Sequence, residues 1–174
     1  MLTVNVHKFT HHEQLKDEIL QMIEERPDPA IDASDKISKS DWHPDKAGIY
    51  TSKNYQQRLL PLLTEHCQTA YKRATGFWLN EMWYQQYGTG DSHDWHVHEF
   101  CHWTNVYFLE LPNADERTQV CDLDRNPVEH EAEEGDIILF PSLWLHRSKP
   151  LTGGRKTIIS FNTNFTHDRR YNPA

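Results

Sequence analysis

Apolar residues recur at helical spacing in two stretches of the first half of the chain, and gather into short aromatic and β-branched runs in the second half. Leu15, Ile19, Met22 and Ile23 fall on one face of a 3.6-residue period. Thr10-x-x-Glu13 ahead of them has the form of a capping box, and Pro27 and Pro29 close the predicted helix. Residues 28–52, polar and broken by Pro44 and Gly48, read as loop. A second helical stripe runs from about Tyr55 to Arg73 through Leu59, Leu62, Leu63, Cys67 and Tyr71; Pro61 either kinks it or lies in its first turn. After Gly76 the texture changes. Residues 77–87, 103–111, 119–123, 136–140 and 157–165 form runs separated by Pro, Gly, Asn and Asp, the pattern of antiparallel strands in a barrel or sandwich. No repeat or low-complexity linker interrupts it. The pattern predicts an α+β fold in a single domain, residues 1–174, with a helical part over about 1–75 and a β core over about 76–166.

Composition narrows the function classes. At 37% apolar and 25% charged residues, the chain has the make-up of a globular protein rather than a disordered one. The net charge of −8, with no basic run longer than two residues, argues against a nucleic-acid partner. It leaves room for a small anion, which needs only one or two placed cations. Ile137 to Phe140, among the longest apolar runs, is far too short to cross a membrane, and the first residues lack the blocks of a signal peptide. Cys67, Cys101 and Cys121 form no C-x-x-C pair, and their odd number argues against a disulfide framework; a cytoplasmic location is expected.

Twelve histidines change the picture, because several lie together. In an extended His93-Asp94-Trp95-His96-Val97-His98-Glu99, Asp94, His96 and His98 share a face, and two imidazoles at that spacing can converge on one metal. An incidental surface cluster is the competing reading. Downstream, Glu134-Gly135 is a tight turn into Asp136-Ile137-Ile138-Leu139-Phe140, a buried strand that Pro141 stops. His146 follows, and Gly153-Gly154 then turns the chain into a strand headed by Arg155 and Lys156.

The order of these pieces resembles the 2-oxoglutarate and iron(II)-dependent oxygenase superfamily, in particular its small phage-type and bacterial members. The resemblance spans about Phe77 to Phe165, half the chain, and is carried by GDIILFPSLWLHRSKP…RKTIISFN, with HVH upstream and NVYFLELP between. It implies a double-stranded β-helix, the cupin-like jelly-roll, with N-terminal helices packed on one sheet. It also implies Fe(II), 2-oxoglutarate and O2 as cofactor and cosubstrates, with hydroxylation of a substrate and release of succinate and CO2. His96, His98 and His146 match the metal positions, Arg155 or Lys156 the cation for the far carboxylate of 2-oxoglutarate, and Tyr107 a further contact to it. The usual pattern is His-x-Asp/Glu…His, and His98 stands in the carboxylate's place. Three histidines, a set completed by Asp94 or Glu99, or only two protein ligands are the open readings. His43-Pro44-Asp45 also fits His-x-Asp, but it precedes every candidate strand and reads as a turn.

Asn80 and Asn162 are expected to point inward near the cofactor, and Trp95, with His102 and Trp103, to line a pocket. Alternation puts Arg155 with Thr157, Ile159 and Phe161, and Lys156 with Ile158, Ser160 and Asn162. Guanidinium chemistry favours Arg155; the polar face and the count back from Ser160-Phe161-Asn162 favour Lys156. Two other classes compete: a cupin-like three-histidine metalloenzyme that does not use 2-oxoglutarate, and a non-catalytic jelly-roll binding module. The prime substrate, small molecule or protein, and the oligomeric state stay open.

Overall fold

A computed structural model describes residues 3–32, 34–42, 54–71 and 76–165. The elements run β1 (Asn5–Lys8), α1 (His12–Glu24), β2 (Ile31–Asp32), β3 (Lys36–Ile37), β4 (Lys39–Ser40), α2 (Asn54–Ala70), β5 (Phe77–Tyr87), β6 (His93–His96), β7 (Trp103–Glu110), β8 (Gln119–Cys121), β9 (Asp136–Pro141), β10 (Leu145–Ser148) and β11 (Lys156–Phe165).

Both helices form where the apolar stripes lie. Leu15, Ile19 and Ile23 of α1 and Leu59, Leu63 and Cys67 of α2 are buried. The expected capping box is absent. The His12 N–H bonds the Phe9 carbonyl, so Thr10 and His11 form the corner, and His11 stands at the N-cap with no side-chain cap bond. Pro61 lies inside α2 with its ring exposed, not in the first turn. Within the stretch read as loop, β2 and β3 pair with each other and β4 pairs with β5; two-residue strands are too short to show alternation in sequence. His43-Pro44-Asp45 lies outside the described residues.

The strands form antiparallel sheets. A large sheet has the order β1-β9-β7-β11-β5-β4, and a small one the order β6-β10-β8. From β5 to β11 the chain visits the two sheets alternately: β5, β7, β9 and β11 lie in the large sheet, and β6, β8 and β10 in the small. Both faces of the large sheet are covered. Tyr84, Tyr107, Leu139, Ile159 and Phe161 pack against Leu15, Ile19, Leu59 and Leu63 of the helices. Tyr87, Val106, Phe108, Ile138, Phe140 and Ile158 point the other way and meet Val120 of the small sheet. Because side chains alternate along each strand, buried strands here are apolar on both faces. Gly135 opens β9 at φ +87°, and a Cβ there would lie 2.8 Å from the His12 ring, so the turn accepts only glycine. The three cysteines are free. Among the described residues, no helix is long and apolar enough to cross a membrane.

Candidate metal centre

The site lies where the small sheet faces β11 and β7. His146 sits on β10 directly opposite His96 on β6, and Ser148 is opposite His93. The shift in register between these pairs marks a bulge, with two residues on β6 against one on β10. The bulge breaks the alternation expected from sequence. Asp94 turns outward, where its Oδ1 accepts from the Trp95 N–H, and His93 stacks on His96 at 3.8 Å between ring centroids. Glu99 is also exposed. Neither carboxylate joins the cluster, because the chain leaves the ladder after His96. The His98 N–H then bonds the Ser142 carbonyl, which ties the ligand loop to the turn before His146.

His96, His98 and His146 offer ligand atoms that all lie within 4.8 Å of one another. Nitrogens bound to one ion at about 2.1 Å lie roughly 3–4 Å apart, so the trio is close to closed. Their hydrogen bonds fix which nitrogen is free. His96 Nδ1 donates to the Asp94 carbonyl at 2.7 Å, and His146 Nδ1 donates to the Trp144 carbonyl at 3.1 Å. His98 Nδ1 lies 2.8 Å from Asn162 Oδ1 and 3.1 Å from Thr104 Oγ1. With each Nδ1 proton engaged, each Nε2 keeps its lone pair for a metal, as in metal-binding histidines generally. Burial favours the neutral rings: His98 is pushed down to about 4, His96 is lowered, and His146 lies well below the ordinary value, helped by the neighbouring imidazoles. The donor set therefore fits a divalent ion of the kind nitrogen ligands hold. His93 lines a small cavity beside His96 and His146 but is not one of the trio: its Nδ1 accepts from the Gln85 amide at 3.2 Å, and its Nε2 is 3.6 Å from Asp35.

The two candidate cations part at the head of β11. Lys156 is fully buried on the face of Ser160 and Asn162. Its Nζ donates to Ser148 Oγ at 2.8 Å and lies 5.5 Å from the Tyr87 ring centre. Ser148 is two residues beyond His146 on the same face of β10, so the ammonium ends about 7 Å along the strand from a candidate metal ligand. Burial pushes Lys156 down to about 7, and it forms no ion pair among the described residues. Tyr87 and Ser148 also line the small cavity, of about 10 Å³, beside His96 and His146. Arg155 emerges on the opposite face. Its fork holds Glu110 at 2.8 and 2.9 Å and its Nη1 reaches Glu24 of α1 at 2.6 Å, which takes it out of the site. The preference for arginine on chemical grounds is corrected by the pleat.

Tyr107 is likewise on the helix side, where its hydroxyl shares a 2.7 Å hydrogen bond with His12 Nδ1. It is not a cosubstrate contact, since odd positions of β7 face the helices. Asn162 points into the site and reaches His98. Asn80 sits at the irregularity between β5 and β11 and makes no contact with the triad; its Oδ1 is buried without a hydrogen-bond partner. Trp95 is half-exposed under the Arg147 guanidinium, 4.5 Å from its ring centre, and stands at the rim rather than inside. His102 accepts from the Phe165 N–H, away from the triad. Thr104, Ser148 and Glu81, which bonds Asn162, escaped the sequence reading. Ser148 was accessible by alternation from His146; Thr104 carried no signal.

No family model matches the sequence, and no curated protein matches it. Solved structures match its fold. A 2OG-Fe(II) oxygenase family oxidoreductase from Burkholderia pseudomallei superposes with TM-score 0.67 and 11% identity, covering 85% of this chain and 78% of that one. A Pseudomonas putida prolyl-4-hydroxylase gives 0.66 and 14%, covering 94% and 93%. A non-heme alpha-ketoglutarate-dependent epimerase from nogalamycin biosynthesis gives 0.70 and 8%, covering 93% and 77%. At these identities the likeness is one of fold: this chain folds as 2-oxoglutarate and iron(II) oxygenases do.

Proposed function

We propose that this protein is a non-haem Fe(II) and 2-oxoglutarate-dependent oxygenase built on a double-stranded β-helix. The observation that carries the reading is the pairing of a three-histidine centre with one buried lysine at the head of β11, in no ion pair among the described residues, whose ammonium meets Ser148 two residues beyond His146 on β10. The alternation of β5 to β11 between two sheets supports the β-helix. His96, His98 and His146 would hold the iron through Nε2. Bound iron and 2-oxoglutarate would supply oxygen activation coupled to decarboxylation, releasing succinate and CO2. The chain's own part is binding, orientation and exclusion of water. Lys156 would pair with the far carboxylate of the cosubstrate, and Ser148, whose oxygen accepts from Lys156, has its own hydroxyl proton left to donate to that carboxylate. Gln85 and Asp35 hold His93 against His96 and so wall the site on one side. The neighbouring structures include a prolyl hydroxylase and an epimerase, so the fold hosts more than one substrate class.

One observation favours a second reading. With His98 where a carboxylate is usual, the donor set is that of cupin-like three-histidine enzymes, which need no 2-oxoglutarate. Lys156 separates the two. Anaerobic calorimetric titration with Fe(II), then with 2-oxoglutarate, is the test. One Fe(II) per chain followed by Fe-dependent 2-oxoglutarate binding supports the oxygenase. Fe(II) binding with no affinity for 2-oxoglutarate moves the cupin-like enzyme ahead, and binding of neither leaves a binding module.

A further inference from the structure

The three candidate ligands are not held alike. His96 and His146 give their Nδ1 protons to backbone carbonyls, which cannot turn over. His98 depends on a side-chain amide, which can. An amide presenting its NH2 group would make Nδ1 the acceptor, move the proton to Nε2 and block the metal. Something must therefore fix the orientation of Asn162.

Glu81 does so. It is the Cα partner of Asn162 across β5 and β11, and its Oε2 accepts from Asn162 Nδ2 at 2.8 Å. A carboxylate offers acceptors only, so the amide nitrogen must face Glu81 and the oxygen must face His98. An amide oxygen also only accepts, so the imidazole proton must sit on Nδ1. Thr104, 3.1 Å from the same nitrogen, can donate or accept and so selects nothing. Glu81 reaches this place through the irregularity at Asn80. Leu79 and Met82 both pack toward the helices, a change of parity that requires one extra residue and leaves Glu81 on the site face.

We infer that Glu81 is a positioning residue, selecting through Asn162 the tautomer of His98 that can bind metal. The inference rests on the proposed metal site and is tested apart from activity. Co(II) affinity is measured by titration, and the His98 tautomer by 15N chemical shifts in the metal-free protein. Glu81→Ala should weaken Co(II) binding by about ten- to a hundredfold and give His98 mixed tautomers. Glu81→Gln can still turn its carbonyl to the amide and should stay within a few-fold of wild type. Should Glu81→Ala fold poorly, the exchange Glu81→Gln with Asn162→Asp settles the matter. It keeps an acceptor facing His98 and restores a donor behind it, so it should bind better than Asn162→Asp alone, which sets two carboxylates against each other. Unchanged affinity and tautomer in Glu81→Ala, or equal losses in Glu81→Ala and Glu81→Gln, would overturn the inference. If the wild-type protein takes up no Co(II), the metal reading falls, while the His98 tautomer still decides the role of Glu81.

Discussion

Arg155 and Lys156 are adjacent cations whose side chains leave the chain in opposite directions, and the two faces of the large sheet differ as these residues do. Several polar groups on the helix face are engaged within the fold. Arg155 is shared by Glu110 and Glu24, Tyr107 by His12, and Tyr71 by Asn105 and Thr163. On the site face, Lys156 has a neutral hydroxyl for company and three imidazoles turn unprotonated nitrogens toward one point. A fold gains nothing by burying a lone ammonium, whose desolvation is unfavourable. The contrast separates polar groups paired with one another from groups that the proposed function assigns to a ligand.

The largest expected effect lies at the meeting point of the site face. His146→Ala should abolish Fe(II) binding within a measurable range, and with it any conversion of 2-oxoglutarate to succinate. His12→Ala, which removes a buried imidazole from the helix face, should leave Fe(II) affinity near wild type. Equal metal binding by wild type and His146→Ala in a calorimetric titration would erase the distinction between the faces.

Next in size is Lys156. Lys156→Met should weaken Fe-dependent 2-oxoglutarate binding by about a hundredfold, since a buried carboxylate loses its partner. Affinity in the wild type should also fall as pH rises, roughly twentyfold between pH 6.5 and 8.5, because the ammonium pushed down to about 7 is lost over that range. His98, pushed down to about 4, contributes no slope there. Stability should move the other way. Burial lowers Lys156 in the folded state from an ordinary 10.5, so its penalty is complete below about pH 7 and fades as pH rises toward 10.5. Lys156→Met should therefore stabilise the protein at pH 7 by about 1–3 kcal/mol and flatten that rise. A variant both less stable and undiminished in 2-oxoglutarate affinity would place Lys156 among the structural residues.

How much of this was legible follows from periodicity. Five runs of β-branched and aromatic residues became strands, the run 119–123 only over Gln119–Cys121, since burial on one or both faces writes itself as alternation or as a continuous apolar run. The partition of Arg155 and Lys156 between faces was legible too; only the choice of which face held the site was argued on side-chain chemistry. Asp94 was misplaced because a bulge is a single unpaired residue with no signature of its own. Tyr107 was misplaced because β7 is buried on both sides, so nothing in its sequence says which side is which. Glu81 was hidden by the change of parity at Asn80.

Tyr107 gives a smaller effect. Tyr107→Phe removes the hydroxyl shared with His12 Nδ1 and leaves a buried imidazole nitrogen without that partner. Thermal or urea unfolding should show a loss of about 1–2 kcal/mol, with 2-oxoglutarate affinity unchanged. A drop in affinity with stability intact would return Tyr107 to the site.

Arg155 is the finest test, because its expected effect is smallest and its position is one residue from the most sensitive cation. Its guanidinium is exposed, and its pair with Glu24 stands in water, where exposed ion pairs contribute about 0.2–1 kcal/mol. Glu110 is the more enclosed partner and meets the fork with both oxygens, so most of the contribution belongs to that pair. Arg155→Ala should lower stability by at most about 1 kcal/mol, and the loss should shrink in high salt as the charges are screened. Its 2-oxoglutarate affinity should match wild type within twofold, at every pH where Lys156→Met does not. A hundredfold loss in Arg155→Ala would mean that the fork leaves Glu110 to grip the cosubstrate, and the two faces would no longer be separate in function.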